Sequence, residues 1–280
     1  MPWCSLPPVD LFYADKGTGD PVLFLNGLSG DHLYWNAQLR AFSKKFRVFA
    51  PDNRDVGQTR HAGQPYTVAN LADDVAGLLR FLDLPPTNIV GLSMGGMIAQ
   101  ELALRAPERV RSLVLVDTLG RSDDWFCGTL TTFEKIRRQV ADTPAFFDAI
   151  LPWWVSWRFF EGSDRITWLR WLLQQNPHPQ PLEGFLRQLE AMRRFDAQER
   201  LKDIHCPVLV VAGEDDYVCP PRYSERLRDR IGGARLALLP QVGHAPPLEN
   251  AALFQQQVTE FFAALPPLGH HLPSTTGISA

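Results

Sequence analysis

A serine stands in Gly91-Leu92-Ser93-Met94-Gly95, where the apolar, β-branched run NIV gives way to a helical pattern, MGGMIAQELALR. A side chain at so sharp a strand-to-helix turn is forced outward at the top of a sheet. The crowding two residues before and after it admits only small residues. The helix that follows presents free N–H groups, which favour developing negative charge. Such a hydroxyl is placed to attack a carbonyl carbon. Glycine and serine are also ordinary turn residues, so the partners of Ser93 decide between a nucleophile and a tight corner.

A serine hydroxyl is a weak nucleophile and needs a base. Of seven histidines, His244 in LLPQVGHAPPLEN follows the last apolar run, which puts it at the carboxyl edge of a parallel sheet with Ser93. His32, His61, His178 and His205 fall in loops or in the long interruption described below, and His270 and His271 in the tail. The base needs an orienting carboxylate. VLVVAGEDDYVCPP offers Asp215 and Asp216, and the frame Gly213-x-x-Asp216-x-x-x-Pro220 favours Asp216. Asp117, at the end of the preceding apolar run, is a further candidate. Acyl transfer also needs donors for an oxyanion. The turn Asn26-Gly27-Leu28-Ser29-Gly30 can present the Leu28 N–H, and the elbow helix the Met94 N–H. The order Ser93, Asp216, His244 is the nucleophile–acid–base order of α/β-hydrolases.

The elements that must carry these residues are short apolar runs alternating with helical patterns. PVLFLNG, FRVFAPD, NIVGLS, RSLVLVD, PVLVVAG and ARLALLP read as strands, nearly continuous in hydrophobicity, as parallel strands covered on both faces are. Helical spacing fills the stretches between them. This alternation predicts right-handed βαβ units and an open sheet, with FYADKG as an antiparallel edge strand. The alternation breaks between Asp117 and Pro207, where helical patterns continue without a strand. So long an interruption reads as an inserted helical lid. It holds Trp125, Trp153, Trp154, Trp157, Trp168 and Trp171, which either form its own core or line an apolar pocket over the sheet. Asn26, Trp125, Trp153, Trp154 and Trp157 are the expected pocket residues. The predicted division is a core of 1–117 and 207–265, a cap of 118–206 and a disordered tail of 266–280.

Composition fits this reading. Of 280 residues, 45% are hydrophobic and 21% charged, with a net charge of −3, so the chain reads as one globular domain carrying an insertion. No Lys/Arg run points to nucleic acid or an anionic membrane. No stretch reaches the roughly 18 apolar residues of a membrane span. MPWCSLPPVD lacks the form of a secretory signal. Four scattered cysteines without a CxxC pair suggest free thiols in a cytoplasmic protein, with neither metal nor disulfide.

NGLSG, DNRDVGQT, GLSMGG, GEDDYVCP and VGHAPPLE, in that order, resemble the α/β-hydrolase superfamily over residues 10–265. The resemblance implies an eight-stranded, mostly parallel sheet, a helical cap after the sixth strand, a Ser–Asp–His triad and no cofactor. Within the superfamily the chain is similar to serine carboxylesterases, enol-lactonases and carbon–carbon hydrolases. A serine at the elbow sets it apart from haloalkane dehalogenases and epoxide hydrolases, which use aspartate there. The implied substrate is a small, largely apolar ester or lactone, and a homodimer is compatible. A ligand receptor that keeps the triad without turnover belongs to another class, marked by tight binding without labelling of Ser93. Two positions depart from the pattern. Asn26 stands where histidine is common, and Asp55 replaces a glycine beside Arg54. Asp55 reads as a loop-fixing charge or as a polar contact at the mouth of the site. A lactonase or carbon–carbon hydrolase would need lid cations such as Arg158 and Arg165 to grip a substrate carboxylate.

Overall fold

Four runs, Pro21–Leu25 (β3), Thr87–Leu92 (β6), Val110–Val116 (β7) and Val208–Gly213 (β8), form the centre of a sheet, and almost every residue in them is buried. The computed structural model describes residues 3–61, 63–140 and 142–266. Flanking this centre are Trp3–Leu6 (β1), Val9–Lys16 (β2), Arg47–Pro51 (β4), the two-residue Arg60–His61 (β5) and Arg235–Leu239 (β9). The strand order is β1-β2-β4-β3-β6-β7-β8-β9, with β5 on β2. From β4 to β9 every pairing is parallel, while β2 runs antiparallel to β4, β1 and β5. The fold is the mostly parallel α/β-hydrolase sheet, with nine strands among the described residues in place of eight. The additional pairing is β5, too short to leave a sequence pattern.

The continuous apolar runs exist because both faces of the sheet are covered. Leu23, Leu25, Ile89, Leu113 and Val210 pack on one face with Val68–Phe81 (α2) and Met94–Arg105 (α3). Val22, Phe24, Val90, Val114 and Val211 pack on the other with Asn36–Phe42 (α1) and Ala251–Ala263 (α11). α2 begins at a reciprocal cap. The Thr67 hydroxyl accepts from Asn70 N–H, and Asn70 Oδ1 accepts from Thr67 N–H at 3.0 Å. This satisfies donors that a helix start otherwise leaves unpaired.

Between β7 and β8 the described residues form five α-helices, Asp124–Gln139 (α4), Thr143–Trp154 (α5), Trp157–Phe160 (α6), Ser163–Gln174 (α7) and Leu182–Arg193 (α8), and a 3-10 turn at Gln198–Asp203. Pro221–Arg230 (α9) and Pro246–Glu249 (α10) complete the α-helices among the described residues. Leaving β5 aside, β7 is the sixth strand of the chain, so these five helices begin where the resemblance puts a cap. No helix among the described residues is long and apolar enough to cross a membrane. Of the expected tail, residues 267–280 lie outside the described residues.

Candidate active site

Ser93 joins β6 to α3 with φ 54° and ψ −117°, a region that non-glycine residues occupy only under constraint. The constraints are visible. Ser93 N–H donates to Val116 O at 2.9 Å, and Thr118 Oγ1 donates to Ser93 O at 2.7 Å. A Cβ at Gly91 would meet Gly95 O at 2.3 Å, and one at Gly95 would meet Leu25 O at 2.2 Å. The glycines therefore let α3 start directly against β3 and β6. The Ser93 side chain is not spent on capping the helix, so its hydroxyl is available to the cavity it borders.

His244 lies in the loop after β9, and its Nδ1 stands 2.8 Å from Asp216 Oδ2. The other carboxylate oxygen, Oδ1, accepts the N–H groups of Val218 and Cys219, each at 2.8 Å. These bonds fix the carboxylate plane and direct Oδ2 at the ring. Ser93, Asp216 and His244 are all buried. The structure thus brings Ser93, Asp216 and His244 to the carboxyl edge of the sheet. Asp215 makes only a backbone bond here, from its N–H to Val242 O.

Asp117 belongs to the same buried group. Ligand-type atoms of Asp117, Asp216 and His244 all lie within 4.8 Å of one another. Its Oδ1 accepts Gly213 N–H at 2.9 Å, and its Oδ2 has no partner. Burial, reinforced by the charge of Asp216, pushes the Asp117 carboxyl well above the usual range. Among the described residues this is the one trio of potential metal ligands so close together. Its oxygens already hold three backbone N–H donors, an arrangement built around hydrogen-bonded carboxylates.

The turn 26–30 abuts the elbow, since a Cβ at Gly27 would lie 3.1 Å from Ser93 Cβ. Asn26, buried, holds this turn. Its Nδ2 donates to Asp31 O, and its own carbonyl accepts from Asn53 Nδ2 at 3.3 Å. Met94 is the first residue of α3, where a helix N–H has no intrahelical acceptor. Leu28 lies on the facing loop.

Ser93, Leu28 and His244 border a cavity of about 350 Å³. Asn26 and Trp154 line it. Trp125, Trp153 and Trp157 do not, and each is exposed instead. Trp125 packs under the Arg222 guanidinium, 5.2 Å from its ring, and Trp157 under Arg158 at 4.3 Å. Trp153 stands edge-on to Phe133. Inward positions of α4, α5 and α7 are taken by Phe133, Phe146, Ile150 and Leu169, which contribute to the apolar wall. Those smaller residues carry no mark in the sequence that separates them from other amphipathic-helix residues. Arg158 pairs with Glu161 at 3.0 Å, Arg165 lies near the Phe159 ring, and neither lines the cavity. Among the described lining residues there is no Lys or Arg, and Asp31 is the sole acid.

Asp55 faces away from this cavity and toward α8. Its carboxylate accepts Arg187 Nη2 at 2.7 Å, Arg187 Nε at 2.9 Å and the Tyr66 hydroxyl at 2.9 Å. Gly184 sits on the contact side of α8, where a Cβ would lie 2.7 Å from Asp55 Cβ.

A strained serine elbow on this parallel sheet, with the Asp216–His244 pair at the same edge, defines an α/β-hydrolase. The sequence matches the alpha/beta hydrolase family over residues 22–256, and the chain belongs to it. A Mycobacterium tuberculosis protein provisionally named non-heme bromoperoxidase BpoC is 31% identical over 92% of this chain and 99% of its own length. An Azorhizobium caulinodans protein provisionally named carbamate hydrolase RutD is 28% identical over 93% of this chain and 98% of its own. The structure of the enol-lactonase from Burkholderia xenovorans superposes with a TM-score of 0.81 at 28% identity, covering 94% of this chain and all of the other.

Proposed function

We propose that this hydrolase cleaves carboxylic esters of small to medium, largely apolar and uncharged compounds through an acyl-enzyme on Ser93. The observation that carries the reading is the buried Asp216–His244 pair facing the same cavity as the elbow serine. With Nδ1–H donated to Asp216, His244 keeps Nε2 free to take the Ser93 proton as the hydroxyl attacks. Asp216 holds the imidazole and stabilises its charged form. The Leu28 and Met94 N–H groups receive the oxyanion. His244 then returns the proton to the departing alcohol and activates water against the acyl-enzyme. Residues 118–206 serve as a cap that shapes the acyl pocket and keeps bulk water from it.

The ester reading rests on the arrangement of Ser93, His244 and Asp216 and on the apolar lining, since the names of the relatives span several chemistries. A lactone is a cyclic ester and requires no different machinery, so lactone hydrolysis is the second reading. The superposition with an enol-lactonase favours it. The lining argues against substrates with a free carboxylate, because no Lys or Arg among the described lining residues is there to receive one. The test is a matched panel: p-nitrophenyl butyrate, a neutral lactone and the p-nitrophenyl half-ester of succinic acid. The kcat/KM for the two neutral compounds should lie at least tenfold above that for the anion, with no turnover of any by Ser93→Ala. Preference for the anion, or unchanged turnover in Ser93→Ala, would refute it.

A further inference from the structure

Ser29 has φ 62°, a left-handed conformation that glycine adopts freely and serine does not. Two buried glutamines from the helical insertion hold it there. Ser29 N–H donates to Gln188 Oε1 at 3.0 Å, and the Ser29 hydroxyl donates to Gln180 Oε1. Gln188, on α8, is wholly buried, and its Nε2 donates to Arg54 O at 3.0 Å. One amide therefore ties two core loops together. Within the turn, Gly30 N–H donates to Gly27 O at 3.2 Å, closing a tight bend around Leu28 and Ser29. The Leu28–Ser29 peptide is fixed from α8, and it shares the Leu28 Cα with the peptide that carries the Leu28 N–H. The direction of that N–H therefore depends on the bond made one residue later.

We infer that Gln188 is a positioning residue for the oxyanion hole. Through the Ser29 N–H it aims the Leu28 N–H, so the hole is complete only when α8 is seated on the core. The inference rests on the ester-hydrolase reading and deepens it, since it makes the docked cap a condition for transition-state binding. Removing Gln188 leaves the Ser29 donor buried without an acceptor, and the turn gains freedom to rotate.

The test uses the full-length protein, p-nitrophenyl butyrate and an aryl trifluoromethyl ketone that forms a tetrahedral adduct with an active serine. Gln188→Met keeps length and loses both hydrogen bonds. Losing an oxyanion donor outright costs about 10²–10³ in kcat. A misaimed donor should cost less, about ten- to hundredfold, with KM within about threefold and ketone affinity falling in step with kcat/KM. Hydrogen exchange at the Ser29 amide should quicken. Arg187→Met removes the ion pair with Asp55 but leaves both Gln188 hydrogen bonds to seat α8 on the turn, so it should lower stability and leave ketone affinity within about twofold. Equal loss of ketone affinity in Arg187→Met and Gln188→Met, or none in Gln188→Met, would overturn the inference. Should Gln188→Met not fold, Gln188→Glu keeps an acceptor for Ser29. Lost ketone affinity with Ser29 still protected would then contradict it. Failure of the ester reading looks different: the parent protein itself would neither hydrolyse the ester nor bind the ketone.

Discussion

Asp216 Oδ2 stands 2.8 Å from His244 Nδ1 while the other oxygen of the same carboxylate is held by two backbone N–H groups. That geometry assigns the orienting role to Asp216 although Asp117, also a strand-end carboxyl, lies in the same buried group. The two differ in what surrounds them. Asp216 has donors for both oxygens, and Asp117 has one for Oδ1 and none for Oδ2.

Substitution should separate them. Asp216→Asn removes the charge that stabilises the imidazolium and is expected to lower kcat about 10³–10⁴-fold. Asp117→Asn keeps an oxygen for Gly213 N–H and should hold kcat within about threefold. It should also stabilise the protein at neutral pH. Burial and the charge of Asp216 keep the Asp117 carboxyl well above its ordinary range, so the unfolded chain releases this proton more readily than the folded one. The stability tied to that proton is full below about pH 4 and falls as pH rises toward the folded value. Asparagine mimics the protonated acid and escapes that fall. Thermal unfolding at pH 5 and pH 8 checks this. A Tm gain in Asp117→Asn that does not grow with pH would contradict it, as would a kcat loss matching that of Asp216→Asn.

Acid should act through a different residue. Burial alone would raise the Asp55 carboxyl, but hydrogen bonds from Arg187 and Tyr66 outweigh it and hold the carboxyl below the usual range. A depressed carboxyl contributes stability above its unfolded value, near pH 4, and loses it as pH falls through the folded one. Asp55→Asn should cost about 2 kcal/mol at pH 7, the scale of hydrogen bonds to a charged group, and should flatten the acid limb of the stability profile. Asparagine tolerates the left-handed φ of 69° at this position, so the substitution isolates the charge. Denaturant unfolding between pH 3 and pH 7 measures it. Parallel acid limbs for parent and variant would show that Asp55 does not contribute there.

The sequence carried the fold and the edge residues because those signals are local. Continuous apolar runs follow from burial on both faces, and GLSMGG and GEDDYVCP each close such a run, while VGHAPPLE follows the half-exposed edge strand β9. The cavity wall was not legible, because which face of α4, α5 or α7 turns inward depends on how the helices dock. Tryptophan count therefore misled: Trp125, Trp153 and Trp157 lie outside while Phe133, Phe146 and Leu169 line the cavity. Gln188 escaped notice for the same reason, since a glutamine in an amphipathic helix looks solvated until its loop partners are known, and Gln180 lies in a Pro-rich loop with no pattern to mark it as buried. Asp55 stood out as a departure beside Arg54. Its partner Arg187, 132 residues away, could come only from the structure.

Every step of the proposed reaction runs through Ser93 as the nucleophile. The most direct measurement is the mass of the protein after reaction with a fluorophosphonate, followed by peptide mapping. One adduct per chain is expected, on the peptide carrying Ser93, absent in Ser93→Ala and strongly slowed in His244→Ala. No adduct, or one on another residue with ester turnover intact in Ser93→Ala, would contradict it.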